Sequence, residues 1–252
     1  MSSRPAVELE HVRKTFRIPH EQRTTLKEYF LHPLKRTSYE ANCAVQDVSF
    51  RIAAGECFGV IGPNGSGKST LLKIIGGIYP PDSGEVRIRG KLSPFIELGV
   101  GFNPQLTARD NVRINGALLG LSRRELDRRF EEIIHFADLE RFVDQKLKNF
   151  SSGMQVRLAY AIAIQVDFDI LLLDEVLAVG DMDFQEKCMA TFEDIRRAGK
   201  TVIFVSHDLD AVVRICDRAL LLEGGAVQAL GPAEEAVALY ADRYAAPALQ
   251  GV

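Results

Sequence analysis

Gly62-Pro63-Asn64-Gly65-Ser66-Gly67-Lys68-Ser69 lies between Cys57–Ile61, which reads as a short buried strand, and Thr70–Ile75, which reads as the first turns of a helix. Strand, glycine-rich loop and helix start together make an anion site. The loop's backbone N–H groups converge on the ligand, and the positive end of the helix dipole assists them. The glycines supply positive φ or close backbone approach. Lys68 is placed to reach β- and γ-phosphates, and the Ser69 hydroxyl to ligate Mg²⁺. Residues Gly62 to Ser69, with Thr70 at the helix start, are the expected contacts of a nucleoside triphosphate.

Outward from this loop, two further apolar runs end in polar groups. Ile170-Leu171-Leu172-Leu173 is followed by Asp174 and Glu175, and Val202-Ile203-Phe204-Val205 by Ser206 and His207. Ligands of open α/β sheets bind beyond the carboxyl ends of the strands, so these groups are expected beside the loop. Asp174 suits the Mg²⁺ shell. Glu175 suits a general base that orients and deprotonates water, and His207 suits contact with the γ-phosphate. Taken alone, an acidic pair or a histidine at a strand end is commonly a solvated group; the loop upstream changes that weighting.

The chain has 252 residues with 46% hydrophobic and 26% charged content, ordinary for a globular domain. Its net charge of −3 argues against a general nucleic-acid binder. Cys43, Cys57, Cys188 and Cys216 show no C-x-x-C spacing, so neither disulfides nor zinc are required. No signal peptide is visible, and no apolar stretch approaches the about 18 residues of a membrane helix. If the protein serves a membrane process, another polypeptide supplies the membrane part.

Val7–Phe16 and Cys43–Ile52 alternate as antiparallel strands do, and Glu85–Ile88 and Leu92–Ile96 read as strands around an Arg89-Gly90 turn. Between the first two lies an insertion, residues 17–42. Its Thr25-Leu26-Lys27-Glu28 has the form of a helix capping box. Either a surface helix packs on its own domain there, or a basic amphipathic helix faces a partner or a membrane. Residues 97–165 turn helical, with Ser122–Glu125 as a second capping box. Ser151 opens a long helix, and Glu234–Tyr244 is a closing one. The expected architecture is an α/β nucleotide-binding core of P-loop NTPase type with an antiparallel N-terminal β subdomain and a helical insertion.

Asn149-Phe150-Ser151-Ser152-Gly153-Met154-Gln155 discriminates further. Ser151 is a helix N-cap candidate with a second anion site behind it. Placed about twenty residues ahead of the Asp174-Glu175 strand, it resembles the signature loop of ABC-transporter ATPases. The resemblance covers most of the chain: phosphate loop, Phe150–Met154, Ile170–Glu175, Ala178-Val179-Gly180-Asp181 as the D-loop, and His207 as the switch histidine. It implies a homodimer packed head to tail, with Ser151, Ser152 and Gly153 of each copy closing on the other's ATP. It also implies that Glu97 stands where a glutamine normally ligates Mg²⁺, and that Phe16 stacks on adenine where tyrosine is more usual.

Ser152 and Met154 depart from the usual Leu-Ser-Gly-Gly-Gln. With Ile96–Asn103, Asp174–Asp181 and the 17–42 insertion, they look like the ATPase subunits that export lipid-linked polysaccharides: O-antigen, capsule and teichoic-acid exporters. That subgroup implies a separate membrane permease, a peripheral location on the cytoplasmic face, and lipid-linked polysaccharide as cargo. A C-terminal glycan-binding domain carried by some O-antigen members is not expected here. Two alternatives stay open: the ATPase subunit of another ABC importer or small-molecule exporter, and a soluble non-transport ABC ATPase. Neighbouring genes for a six-helix membrane protein and glycosyltransferases would favour the polysaccharide reading.

Overall fold

A computed structural model describes residues 4–19, 39–95, 101–174 and 182–244. The capping box at Thr25–Glu28, the Glu97 position, Glu175 and the D-loop at Ala178–Asp181 lie outside the described residues.

Nine strands form among the described residues: β1 (Val7–Pro19), β2 (Tyr39–Ile52), β3 (Cys57–Ile61), β4 (Ser83–Ile88), β5 (Leu92–Phe95), β6 (Ile170–Asp174), β7 (Thr201–Val205), β8 (Arg218–Glu223) and β9 (Ala226–Pro232). They make a three-stranded sheet in the order β2-β1-β4 and a six-stranded sheet in the order β5-β6-β7-β3-β8-β9. The first is antiparallel. The second is parallel except for β9, which pairs antiparallel with β8.

The small sheet owes its shape to bulges. Val7 and Leu9 are buried, but so is Val12, which is out of phase with them. A register shift between Leu9 and Val12 returns Val12 to the core face, and His11 there takes φ 51°. β2 does the same between Val45 and Val48, where Asp47 takes φ 52°. His11 Nδ1 and Asp47 Oδ1 meet at 2.8 Å across the two bulges.

Arg89-Gly90 does not join a hairpin. β4 belongs to the antiparallel sheet, whereas β5 pairs with β6 in the parallel one. Between them Arg89 N donates to Ala6 O, and Lys91 N to the Asp169 carboxylate, so the chain crosses from one sheet to the other.

The helices are α1 (Lys68–Ile75), α2 (Ala108–Leu118), α3 (Arg123–Phe136), α4 (Ser152–Ala163), α5 (Met182–Arg197), α6 (Leu209–Ile215) and α7 (Ala233–Tyr244). Ser122 caps α3 with the reciprocal Glu125 contact of a capping box. The sequence pattern did not register α5, α6 or β9.

Strand residues sort by parity into two cores. Leu171, Leu173 and Phe204 pack with Phe184, Val212 and Ala236 from α5, α6 and α7. Ile170, Leu172, Ile203 and Val205 pack with Leu71 and Leu72 of α1 and Val48 and Phe50 of the small sheet. A third cluster, including Val112, Phe130, Ile133 and Leu158, joins α2, α3 and α4. No helix among the described residues is long and apolar enough to cross a membrane.

Candidate functional site

β3 is buried along its whole length and ends at Ile61, so the chain emerges from the middle of the sheet directly into residues 62–67. Two glycines there cannot be replaced without moving backbone. Gly62 takes φ 152° and Gly67 φ 104°. A Cβ on Gly62 would collide with Leu222 O, and one on Gly67 with Ala44 O. The loop is therefore wedged between β8 and β2, with Asn64 and Gly65 exposed at its tip.

Gly67 is the N-cap of α1 and provides no side-chain cap, and the first turn carries no acidic residue. The helix start is thus left to an anionic ligand. Ser69 is exposed and Thr70 half-buried at that start. Lys68 is buried; its Nζ donates to Gly62 O at 2.7 Å and to Pro63 O at 3.0 Å, crossing beneath its own loop. Ser66 Oγ is buried with no hydrogen-bond partner among the described residues. A cradle that only glycine fits, an uncapped helix start and a lysine inside the loop together suit a polyphosphate.

The sheet register brings the other candidates to the same edge. Val205 of β7 is the partner of both Val60 in β3 and Asp174 in β6. Asp174, residues 206–207 and Gly62 therefore leave three adjacent strands at one end. Asp174 is half-buried and His207 exposed. His207 sits in a short turn in which Ser206 Oγ accepts from Asp208 N at 3.0 Å, and Asp208 Oδ1 caps α6 by accepting from Ala211 N at 3.0 Å. That turn is a positional device the sequence pattern did not isolate.

Ser151, Ser152 and Gly153 belong to the helical layer. Ser151 caps α4, its Oγ accepting from Met154 N at 3.2 Å. Both serines are exposed, and Met154 packs against the helical core. Phe16, near the end of β1, is half-buried and set edge-on to Tyr79, with centroids 5.5 Å apart and planes at 71°. Tyr79 carried no sequence signal beyond its place after α1. Among the described residues no group of three or more His, Cys, Asp or Glu side chains forms a metal cluster. The oxygen donors Ser69 and Asp174 suit a hard cation held jointly with ligand phosphates.

The profile of the ABC transporter family matches residues 45–178, which take in the loop, Ser151–Gly153 and Asp174. The chain is 40% identical over 242 residues to the O-antigen export system ATP-binding protein RfbB of Klebsiella pneumoniae, covering 94% of this chain and 97% of the relative. It is 44% identical to the protein of the same name from Myxococcus xanthus, over 94% of this chain and 56% of that one. The teichoic acids export ATP-binding protein TagH of Listeria monocytogenes is 38% identical over 93% of this chain and 69% of its own length. Among solved structures, a dimeric post-hydrolysis state of the ATP-binding cassette MJ0796 bound to ADP and Pi superposes with a TM-score of 0.72 at 29% identity, over 90% of this chain and 98% of that one. With the loop, the sheet order and the capped Ser151 helix already in place, these similarities make the chain a member of the ABC transporter family.

Proposed function

We propose that this chain is the ATP-hydrolysing subunit of an exporter that moves lipid-linked polysaccharide of O-antigen, capsule or teichoic-acid type across the cytoplasmic membrane. The observation that carries the catalytic half is the sheet edge that collects the phosphate loop, Asp174 and His207. The names of the relatives support the transport half.

In this reading the loop N–H groups and the start of α1 bind the phosphates, and Phe16 stacks on adenine. Lys68 exchanges its loop carbonyls for β- and γ-phosphate oxygens. Ser69, Asp174 and Glu97 would hold Mg²⁺, which when bound would supply charge neutralisation for the phosphates. Glu175 orients a water and takes its proton as the water oxygen bonds to the γ-phosphorus. The bond to the bridging oxygen breaks, and the electron pair leaves with ADP. His207 contacts the γ-phosphate and keeps the water in line.

Ser151, Ser152 and Gly153 act on the nucleotide of a second copy of the chain, which makes the working unit a homodimer. A separate integral membrane permease carries the glycolipid, and the ATPase sits peripherally on the cytoplasmic face. Nucleic acid is not a partner.

Deleting the gene tests the reading. Lipid-linked polysaccharide is expected to accumulate inside the cell while the matching glycan disappears from the surface. An unchanged surface glycan without internal accumulation would remove the polysaccharide assignment and leave the ATPase assignment standing.

A further inference from the structure

Residues 79–82 fold back on β1, and their polar contacts flank Phe16 on its N-terminal side. Asp82 N donates to Arg13 O at 2.8 Å. One oxygen of the Asp82 carboxylate accepts from Thr15 N at 2.7 Å, and the other meets Lys14 Nζ at 2.9 Å. Lys14 Nζ also donates to Pro80 O at 2.8 Å. The Lys14 ammonium and the Thr15 N–H together hold the Asp82 carboxyl below its ordinary value.

The aromatic rings continue the pattern. Lys14 Nζ lies over the Phe16 ring, 5.7 Å from its centroid, and Phe16 meets Tyr79 edge-on. Lys73 Nζ lies over the Tyr79 ring at 5.9 Å, and Tyr79 N donates to Lys73 O at 3.1 Å. Lys73 belongs to the last turn of α1, the helix that begins at Lys68.

A partly exposed ion pair contributes little stability by itself. Here the same carboxylate also holds the backbone N–H of the residue next to Phe16, so its effect is geometric. A half-exposed ring at a strand end loses rotamer freedom when a base stacks on it; a ring already fixed has less to lose. We infer that Asp82 and Tyr79 are positioning residues that pre-set Phe16 for the nucleotide base, tying the base end of the site to the phosphate loop through α1. The inference rests on the reading that Phe16 stacks on adenine.

Equilibrium binding of ATP and of ribose 5-triphosphate, which lacks the base, separates the possibilities. Phe16→Ala should weaken ATP binding roughly tenfold and leave ribose 5-triphosphate unchanged. Asp82→Ala and Tyr79→Ala should each weaken ATP binding roughly two- to tenfold, again sparing ribose 5-triphosphate. On a Phe16→Ala background, Asp82→Ala should have no further effect. Asp82→Asn and Tyr79→Leu serve if the alanine variants do not fold. Unchanged ATP affinity in folded Asp82 and Tyr79 variants overturns the proposal. So does equal weakening of both ligands, or an undiminished Asp82 effect when Phe16 is absent. ATP affinity that survives Phe16→Ala removes the stacking reading and the proposal with it. A Phe16 effect without an Asp82 or Tyr79 effect removes the proposal alone.

Discussion

Glu175→Gln keeps the size and most of the hydrogen bonding of the side chain and removes its capacity to accept a proton. Losing a general base typically costs about 10²–10⁴-fold in rate. ATP hydrolysis should fall by that factor while ATP binding persists; a near-native rate in steady-state assays would show that the base lies elsewhere. Gly67→Ala acts differently. It puts a Cβ into Ala44 O at φ 104°, and an L-residue in a sparsely populated backbone region costs about 1–3 kcal/mol. The variant should melt earlier and bind ATP more weakly, by calorimetry of each; unchanged Tm and affinity would mean that the loop is not wedged against β2. The glycines were legible because their spacing is local. Where the lysine's ammonium rests was not: Lys68 reads as a phosphate ligand, but its placement on Gly62 O and Pro63 O depends on how the loop carbonyls turn.

Among the elements, the capping box of α3 separates stability from chemistry. Ser122 caps α3 far along the chain from the loop, so Ser122→Ala should cost about 1 kcal/mol in denaturant unfolding. ATPase activity should be unaffected at temperatures well below the transition. A loss of activity without a loss of stability would give α3 a role that its packing does not suggest. The buried runs of β3, β6 and β7 were readable because strands covered on both faces are apolar throughout. β4 and β5 were readable as strands but not as members of different sheets, since their partners β1 and β6 lie far away in sequence. β9 has a local sequence signal in the two glycines that precede it. Gly224 and Gly225 both take positive φ between paired Glu223 and Ala226, the two-glycine connection that a tight hairpin favours. Its Ala-Val-Gln-Ala-Leu run is weak in β-formers, and the partner strand supplies the missing order.

For the molecule as a whole, the composite-site reading predicts behaviour that no single chain can show. Gly153→Asp would place a carboxylate where Ser151–Gly153 would face a second copy's γ-phosphate, and Lys68→Ala would weaken that chain's own phosphate grip. Mixing the two variants leaves mixed dimers with at most one intact site, so partial activity should return on mixing although each variant alone is inactive. Full activity in a preparation shown by light scattering to stay monomeric during turnover would exclude the pairing. Sequence reading reached this assembly only through family resemblance, because Ser151 and Gly62 sit in different layers of one chain.

The cluster of Val112, Phe130, Ile133, Ile134 and Leu158 lies between α2, α3 and α4 and meets the sheet core through Leu119, Phe136, Tyr160 and Ala163. Exposing it requires no break in the β3–β7 pairing at the centre of the sheet. Cooperative units of this kind open at their own free energy, below that of global unfolding. In deuterium uptake, the amides of these three helices should exchange as one class, ahead of the amides of β3, β6 and β7. The part that carries Ser151 would then melt and re-form without releasing the phosphate loop.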